Sequence, residues 1–190
     1  MKAKLTVVYD ACVLYPALLR DFLMWQGLSG SVRARWSCTI HEKWKRNLLR
    51  NRPDLTRRQL DRISDLMDSA IPDCLVDGYE GLIADLHLPD ADDRHVLAAA
   101  IHCVAQAIVT FNLRDFPQEA LASYDIKALH PDDFILKLLK RNATSVISAA
   151  KRQRAQLVNP AIDTDRYLDS LRRQGLLKTV EILTNYKDRL

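Results

Sequence analysis

Leu88-Pro89-Asp90-Ala91-Asp92-Asp93-Arg94-His95-Val96-Leu97-Ala98-Ala99-Ala100 sets three aspartates within four positions, at the head of an apolar run that continues through Ile101, Cys103, Val104 and Ala107. The run is too long for one strand and is rich in alanine. It therefore predicts a helix that is apolar nearly all round and buried. Asp92 or Asp93 can cap this helix by accepting a backbone N–H, and the helix dipole tolerates one anion there. One cap accounts for one aspartate. Three carboxylates at the mouth of a buried helix repel each other unless a cation or water screens them. A cap with solvated loop charges explains any one of these acids alone. A hard-cation site explains them together, and it requires further acids elsewhere in the chain.

Outward from this stretch, the N-terminal side opens on Leu5-Thr6-Val7-Val8-Tyr9, a β-branched and aromatic run that ends at Asp10. It predicts a buried parallel strand with Asp10 at its carboxyl end, the edge where open α/β sheets bind ligands. Pro16 suits a first helical position and Gly27 a helix stop, with Leu18, Leu19, Phe22, Leu23 and Trp25 between them. Ala34-Arg35-Trp36-Ser37 is a short strand candidate. Thr39-Ile40-His41-Glu42 has the form of a capping box, a structural role that competes with any chemical role for Glu42. That helix carries Lys43, Lys45, Arg46 and Arg50 on its wet faces. His41-Glu42 begins like a zinc-protease HExxH, but position 45 is Lys. Thr56-Arg57-Arg58-Gln59 is a second capping box, opening a helix to about Ala70 that Pro72 prevents from continuing.

Cys74-Leu75-Val76 is a third strand candidate, and a short helix is placed at Gly81 to Leu86. After the buried helix, Ala107-Ile108-Val109-Thr110-Phe111 reads as a central strand, followed by Asn112 and Asp115. Ile126 to Leu129 reads as the last strand. Pro131-Asp132-Asp133 opens a helix to Arg141, with both acids serving its dipole. From Asn142 onward the patterning is helical, over Val146 to Leu157 and Asp165 to Tyr186, with Gly175 as a separator. Strands alternating with helices predict a three-layer α/β/α sandwich on a central parallel sheet with right-handed crossovers, over residues 1–141. Residues 142–190 form a helical C-terminal extension.

With 190 residues, 48% of them hydrophobic and 27% charged, the chain has the composition of a soluble globular protein with a full core. It has no apolar run near the roughly 20 residues of a membrane span and no signal-peptide pattern at its start, so the expectation is a cytoplasmic protein without membrane attachment. Cys12, Cys38, Cys74 and Cys103 form no CxxC pair and read as free thiols rather than zinc ligands or disulfides. The net charge is +4, but ten Lys/Arg stand against three acids between Arg33 and Arg62. A basic stretch beside an acidic site suits a polyanionic substrate held near metal-binding carboxylates, although solvated helix faces account for the stretch taken alone.

Asp10, Asp90, Asp92, Asp93, Asn112, Asp115 and Glu42 all lie at element ends that a parallel sheet can gather on one edge. Oxygen ligands without His/Cys spacing indicate Mg²⁺ or Mn²⁺. Such an ion can generate a hydroxide nucleophile and stabilise the leaving oxygen in phosphodiester hydrolysis.

The chain resembles the PIN-domain nucleases, which include the toxins of VapC-type toxin–antitoxin pairs. The resemblance rests on the apolar strand into Asp10, on Glu42, on Asp-Asp-Arg-His-Val-Leu-Ala-Ala-Ala with Asp93 in place, and on Val-Thr-Phe-Asn-Leu-Arg-Asp-Phe from Val109 to Phe116. It covers Lys4 to Leu139. It implies Mg²⁺- or Mn²⁺-dependent endoribonuclease activity, homodimers, and a cognate antitoxin whose segment fills the acidic pocket. Carried over by position, Asp10, Glu42 and Asp93 are the metal-binding and catalytic core, with Asp115 a further acid. Asp90, Asp92, Thr110 and Asn112 support them, and Lys43, Lys45, Arg46 and Arg50 are candidates for contacts to RNA phosphates. In many relatives the position of Asn112 is acidic, a departure that leaves room for a catalytically silent PIN fold that binds RNA or a protein. A haloacid-dehalogenase phosphatase wants a second Asp two residues after the first, where this chain has Cys12. A receiver domain wants an early acidic pair, where Asp10 stands alone.

Overall fold

Four short parallel strands lie at the centre of the computed structural model, which describes residues 4–190. They are β1 (Leu5–Tyr9), β2 (Val32–Arg35), β3 (Ala107–Val109) and β4 (Lys127–Leu129), in the order β2-β1-β3-β4. Val7 of β1 pairs with Ala34 on one side and Ala107 on the other. Val7, Val8, Tyr9, Ile108 and Val109 are fully buried, as strands covered on both faces require. The chain moves from β1 to β2 on one side and then crosses to β3 on the other. The carboxyl ends of β1 and β3 therefore flank the point where strand order reverses, the crevice that α/β sheets use for ligands.

Nine helices occur among the described residues: α1 (Ala11–Leu14), α2 (Ala17–Leu28), α3 (Cys38–Asn51), α4 (Arg57–Ala70), α5 (Arg94–His102), α6 (Gln118–Leu121), α7 (Pro131–Gln156), α8 (Thr164–Arg173) and α9 (Leu177–Thr184). The acidic stretch forms a 3₁₀ turn, Ala91–Asp93, leading into α5, in which Val96 to Ala100 are all buried. Together with the parallel sheet this is the expected α/β sandwich with a helical C-terminal extension.

Several local expectations are corrected. Gly27 does not stop α2 but lies inside it. A Cβ there would stand 2.5 Å from Ile71 Cδ1, so its role is close packing, and Gly30 at φ +70 makes the turn. Ser37, not Thr39, caps α3: its Oγ accepts from Ile40 N–H at 3.3 Å, while the Thr39 hydroxyl bonds Tyr79. Asp90, not Asp92 or Asp93, supplies the side-chain cap at the acidic turn, accepting from Asp92 N–H at 2.8 Å. Cys74–Val76 makes only one parallel bridge, Trp36 to Leu75, because Asp73 (φ +56) and Gly78 (φ +76) turn the chain on either side. The capping box at Thr56 and Gln59 forms as read.

The span of α7 joins two helices across a kink at Asn142 (φ −158, ψ 84), whose side-chain oxygen accepts Ser145 N–H at 3.1 Å and caps the second of them. Its second half, α8 and α9 bury Val146, Ile147, Tyr167, Leu171, Val180 and Leu183 in the same apolar cluster as the sheet. Among the described residues no helix is long and apolar enough to cross a membrane.

Candidate active site

Strand β1 carries Asp10 out at its carboxyl end, where its backbone N–H still reaches Val109 O of β3 at 3.1 Å. Asp10 is 2% exposed, and both its oxygens are engaged. Oδ1 accepts from Ala11 N–H at 2.6 Å, capping α1. Oδ2 accepts from the Thr110 hydroxyl at 2.8 Å and the Cys12 thiol at 3.1 Å. Burial raises the Asp10 pKa above the ordinary carboxylate value; the thiol and hydroxyl bonds oppose that rise, and the nearby charge of Asp93 adds to it. Burial, then the charge of Asp10, pushes the Cys12 thiol up to about 12, so it remains a donor. Its sulfur accepts Phe111 N–H at 3.2 Å, and Thr110 Oγ1 accepts Asn112 N–H at 3.0 Å. The ends of β1 and β3 are thus tied together around one carboxylate.

Asp93 arrives from the turn before α5 and is also 2% exposed. Carboxylate oxygens of Asp90, Asp93 and Asp115 all lie within 4.8 Å of one another. Asp115 is brought there by the 3₁₀ turn Leu113–Asp115 that follows β3. Asp10, from the adjacent strand end, lies within electrostatic range of Asp93. Asp92 is exposed and is not one of the three; it lines a small polar cavity with Thr39, Glu42, Lys43, Arg46 and His95. His95 Nδ1 is buried without a hydrogen-bond partner, and burial, aided by the charge of Lys43, lowers its pKa to about 4, leaving a neutral imidazole.

Helix α3 places its charged residues differently from the sequence expectation. Glu42 does not enter the carboxylate cluster. Its Oε1 pairs with Arg57 at 2.6 Å and Lys45 at 3.0 Å, and its side chain is 51% exposed. Desolvation raises the Glu42 pKa, but the hydrogen bonds and charges of Arg57 and Lys45 together outweigh it and hold Glu42 below the usual carboxylate range. Lys45 is buried, donating to Asp61 and Ser64. Lys43 turns inward instead: its Nζ lies 2.5 Å from Asp93 Oδ1 and donates to Asp92 O at 3.3 Å. Arg46 and Arg50 are exposed. From the sequence, Lys43 is only a candidate phosphate contact, and Cys12 has no role toward Asp10. Helix phase could have separated Lys43 from Glu42, but which face meets the acids depends on how α3 packs.

The donors gathered here are hard carboxylate oxygens without a thiolate or imidazole among them, and an ammonium is already paired with one of them, Asp93. That set suits Mg²⁺ or Mn²⁺.

A family model described as a PIN domain matches residues 6–114, and one described as the VapC50 C-terminal domain matches residues 131–185. The first runs from Thr6 in β1 to Arg114, one residue short of Asp115; the second begins at Pro131, the first residue of α7. A relative from Mycobacterium tuberculosis, named "Putative ribonuclease VapC50", is 56% identical over 62 residues. That match covers 33% of this chain and 36% of the relative's length. No solved structure matches the chain.

Proposed function

The chain belongs to the PIN-domain family, and from that premise we propose that it is a divalent-metal-dependent endoribonuclease and the toxin of a toxin–antitoxin pair. The observation that carries this reading is the convergence of the Asp90, Asp93 and Asp115 carboxylates at the sheet's carboxyl edge, beside the buried Asp10. These four residues are the ones that would hold Mg²⁺ or Mn²⁺. The chemistry such an ion supplies when bound is activation of water for phosphodiester hydrolysis and neutralisation of charge on the leaving oxygen.

The chain's own residues prepare that chemistry. Three neutral donors fix Asp10 in direction, and two of them, Cys12 and Thr110, oppose the rise in pKa that burial causes. Asp93 is buried at the head of α5. Arg46 and Arg50 stand on the exposed face of α3, where they would position RNA phosphates without reading sequence. Glu42, drawn off by Arg57 and Lys45, takes part only if those pairs open. A homodimer and an antitoxin that inserts a basic side chain among the acids accompany this reading.

The test is cleavage of a mixed single-stranded and structured RNA pool with Mg²⁺, with Mn²⁺ and with chelator, beside Asp93→Asn. The expected result is metal-dependent cutting that the variant loses by at least about a hundredfold. Metal-dependent cutting at an undiminished rate in the variant sinks the assignment. A second reading, a PIN fold that holds RNA or protein without cutting, draws on the ion pair by which Lys43 already engages Asp93. RNA binding without cutting under any of the three conditions would favour it.

A further inference from the structure

We propose that Lys43 is a built-in counter-cation of the acidic cluster, which a divalent ion must displace in order to bind. The proposal rests on the metal-site reading above and concerns how that site is controlled.

Among the described residues, Asp93 is the one carboxylate of the four with a salt bridge, and Lys43 makes it. Asp10 is satisfied by neutral donors and Asp90 by the backbone N–H of Asp92. Asp93 is nearly as buried as Asp10, with a side chain 2% exposed. A buried carboxylate near two others is costly without a compensating positive charge. Desolvation on its own would lower the Lys43 pKa. The hydrogen bond to Asp93, with the charges of Asp93, Asp10 and Asp90, reverses that and raises it. The ammonium therefore responds to three of the four acids that would bind a metal.

An ammonium and a divalent ion compete here, because both are drawn to the Asp93 carboxylate that Lys43 already pairs with. Their difference lies in the tether. The Lys43 Nζ rides on a flexible four-carbon stem, 23% exposed, that can swing outward once a stronger cation arrives. The adjoining cavity lined by Thr39, Arg46 and His95 gives it room on that side. The arrangement keeps the metal-free protein folded while setting a threshold concentration of metal for occupancy.

The experiment is titration of Mn²⁺ into the full chain, read by the loss of the free-ion electron paramagnetic resonance signal, with thermal melts in chelator. The proteins are wild type, Lys43→Met, Lys43→Gln, Lys43→Arg and Asp93→Asn. Lys43→Met keeps the stem and removes the charge. It should bind Mn²⁺ at least about tenfold more tightly than wild type, or bind where wild type does not. It should also melt lower in chelator and recover on adding metal. Lys43→Gln, which still donates to Asp93, should fall between, and it replaces the Met variant if that chain does not fold. Lys43→Arg should match wild type or bind less well. Equal or weaker Mn²⁺ binding by both neutral variants, with binding by wild type, overturns the role of Lys43 and leaves the metal site standing. Absence of Mn²⁺ binding in every protein overturns both.

Discussion

Asp10 is the residue whose surroundings are most specialised. Its carboxylate is buried, yet it is met by a backbone N–H, a hydroxyl and a thiol rather than by a cation. Neutral donors fix its direction, and the thiol and hydroxyl oppose the rise in pKa that burial causes, which favours the ionised form a metal would need. Cys12 does this from two residues away, and at the same time its sulfur receives Phe111 N–H from the neighbouring strand's exit. Cys12→Ala should therefore loosen Mn²⁺ binding and slow RNA cleavage by about 10–100-fold, the usual cost of losing a group that orients a metal ligand. Cys12→Ser, which restores a donor, should recover most of it. Single-turnover cleavage and Mn²⁺ titration of the two variants check this, and equal losses in both would mean that the side chain acts only by packing.

At the scale of elements, helix ends do much of the positioning. The Asp90 turn aims Asp93, and the Ser37 cap sets the start of α3 and hence the phase that sends Glu42 toward α4 and Lys43 toward the acids. The C-terminal helices are fastened in the same manner. Asp132, in the first turn of α7, accepts the Lys178 and Thr179 N–H groups at 2.9 and 2.8 Å, capping α9 from another helix. Asp133 adds an ion pair to Lys178 at 3.1 Å. From the sequence both acids serve only their own helix dipole; the structure gives Asp132 a second element to hold. Asp132→Ala leaves two N–H groups at the start of α9 without their acceptor, at a cost of about 1–2 kcal/mol. Hydrogen exchange should then speed up in α9 while the amides of β1 stay protected. Unchanged exchange in α9 would show that its apolar face alone fastens it.

At the scale of the molecule, one apolar cluster unites the sheet, its covering helices and the C-terminal extension. Buried polar links cross it. Gln153 of α7 donates to Leu18 O at 2.7 Å and accepts from the Tyr167 hydroxyl of α8 at 2.8 Å. On the opposite side, Trp36 and His41 both reach Asp68 Oδ1, at 2.7 and 2.9 Å, while Trp44 Nε1 donates to His41 Nδ1 at 2.9 Å. Because Nδ1 accepts, the proton of neutral His41 sits on Nε2 and is donated to Asp68. Burial lowers the His41 pKa below 6.5, outweighing the opposing pull of Asp68. As pH falls below 6.5 the unfolded chain takes up this proton first, so stability is greatest above that pH and declines through the folded-state pKa. His95, held to about 4, contributes to the same slope. The melting temperature of the metal-free protein should fall between about pH 7 and about pH 5.5, and His41→Gln should flatten that fall while lowering the whole curve. A slope unchanged by the substitution would place the acid sensitivity elsewhere.

The sequence by itself determined the α/β class, the strand that delivers Asp10, the buried helix behind Asp93, the capping box at Thr56 and the helical nature of the extension. Each of these is written in local periodicity, β-branching and cap chemistry, which act over a few residues and are readable along the chain. Only the tertiary structure decided that Asp90, Asp93 and Asp115 meet, that Glu42 is drawn aside by Arg57, and that Lys43 rather than a solvated neighbour faces the acids. The thiol of Cys12 on Asp10 and the grip of Asp132 on α9 were decided there as well. These contacts join side chains from separate elements, and their partners follow from the packing angle and rotation of whole helices. A helix residue turns through about 100° per step, so one position along α3 separates an exposed ion pair from the heart of the site.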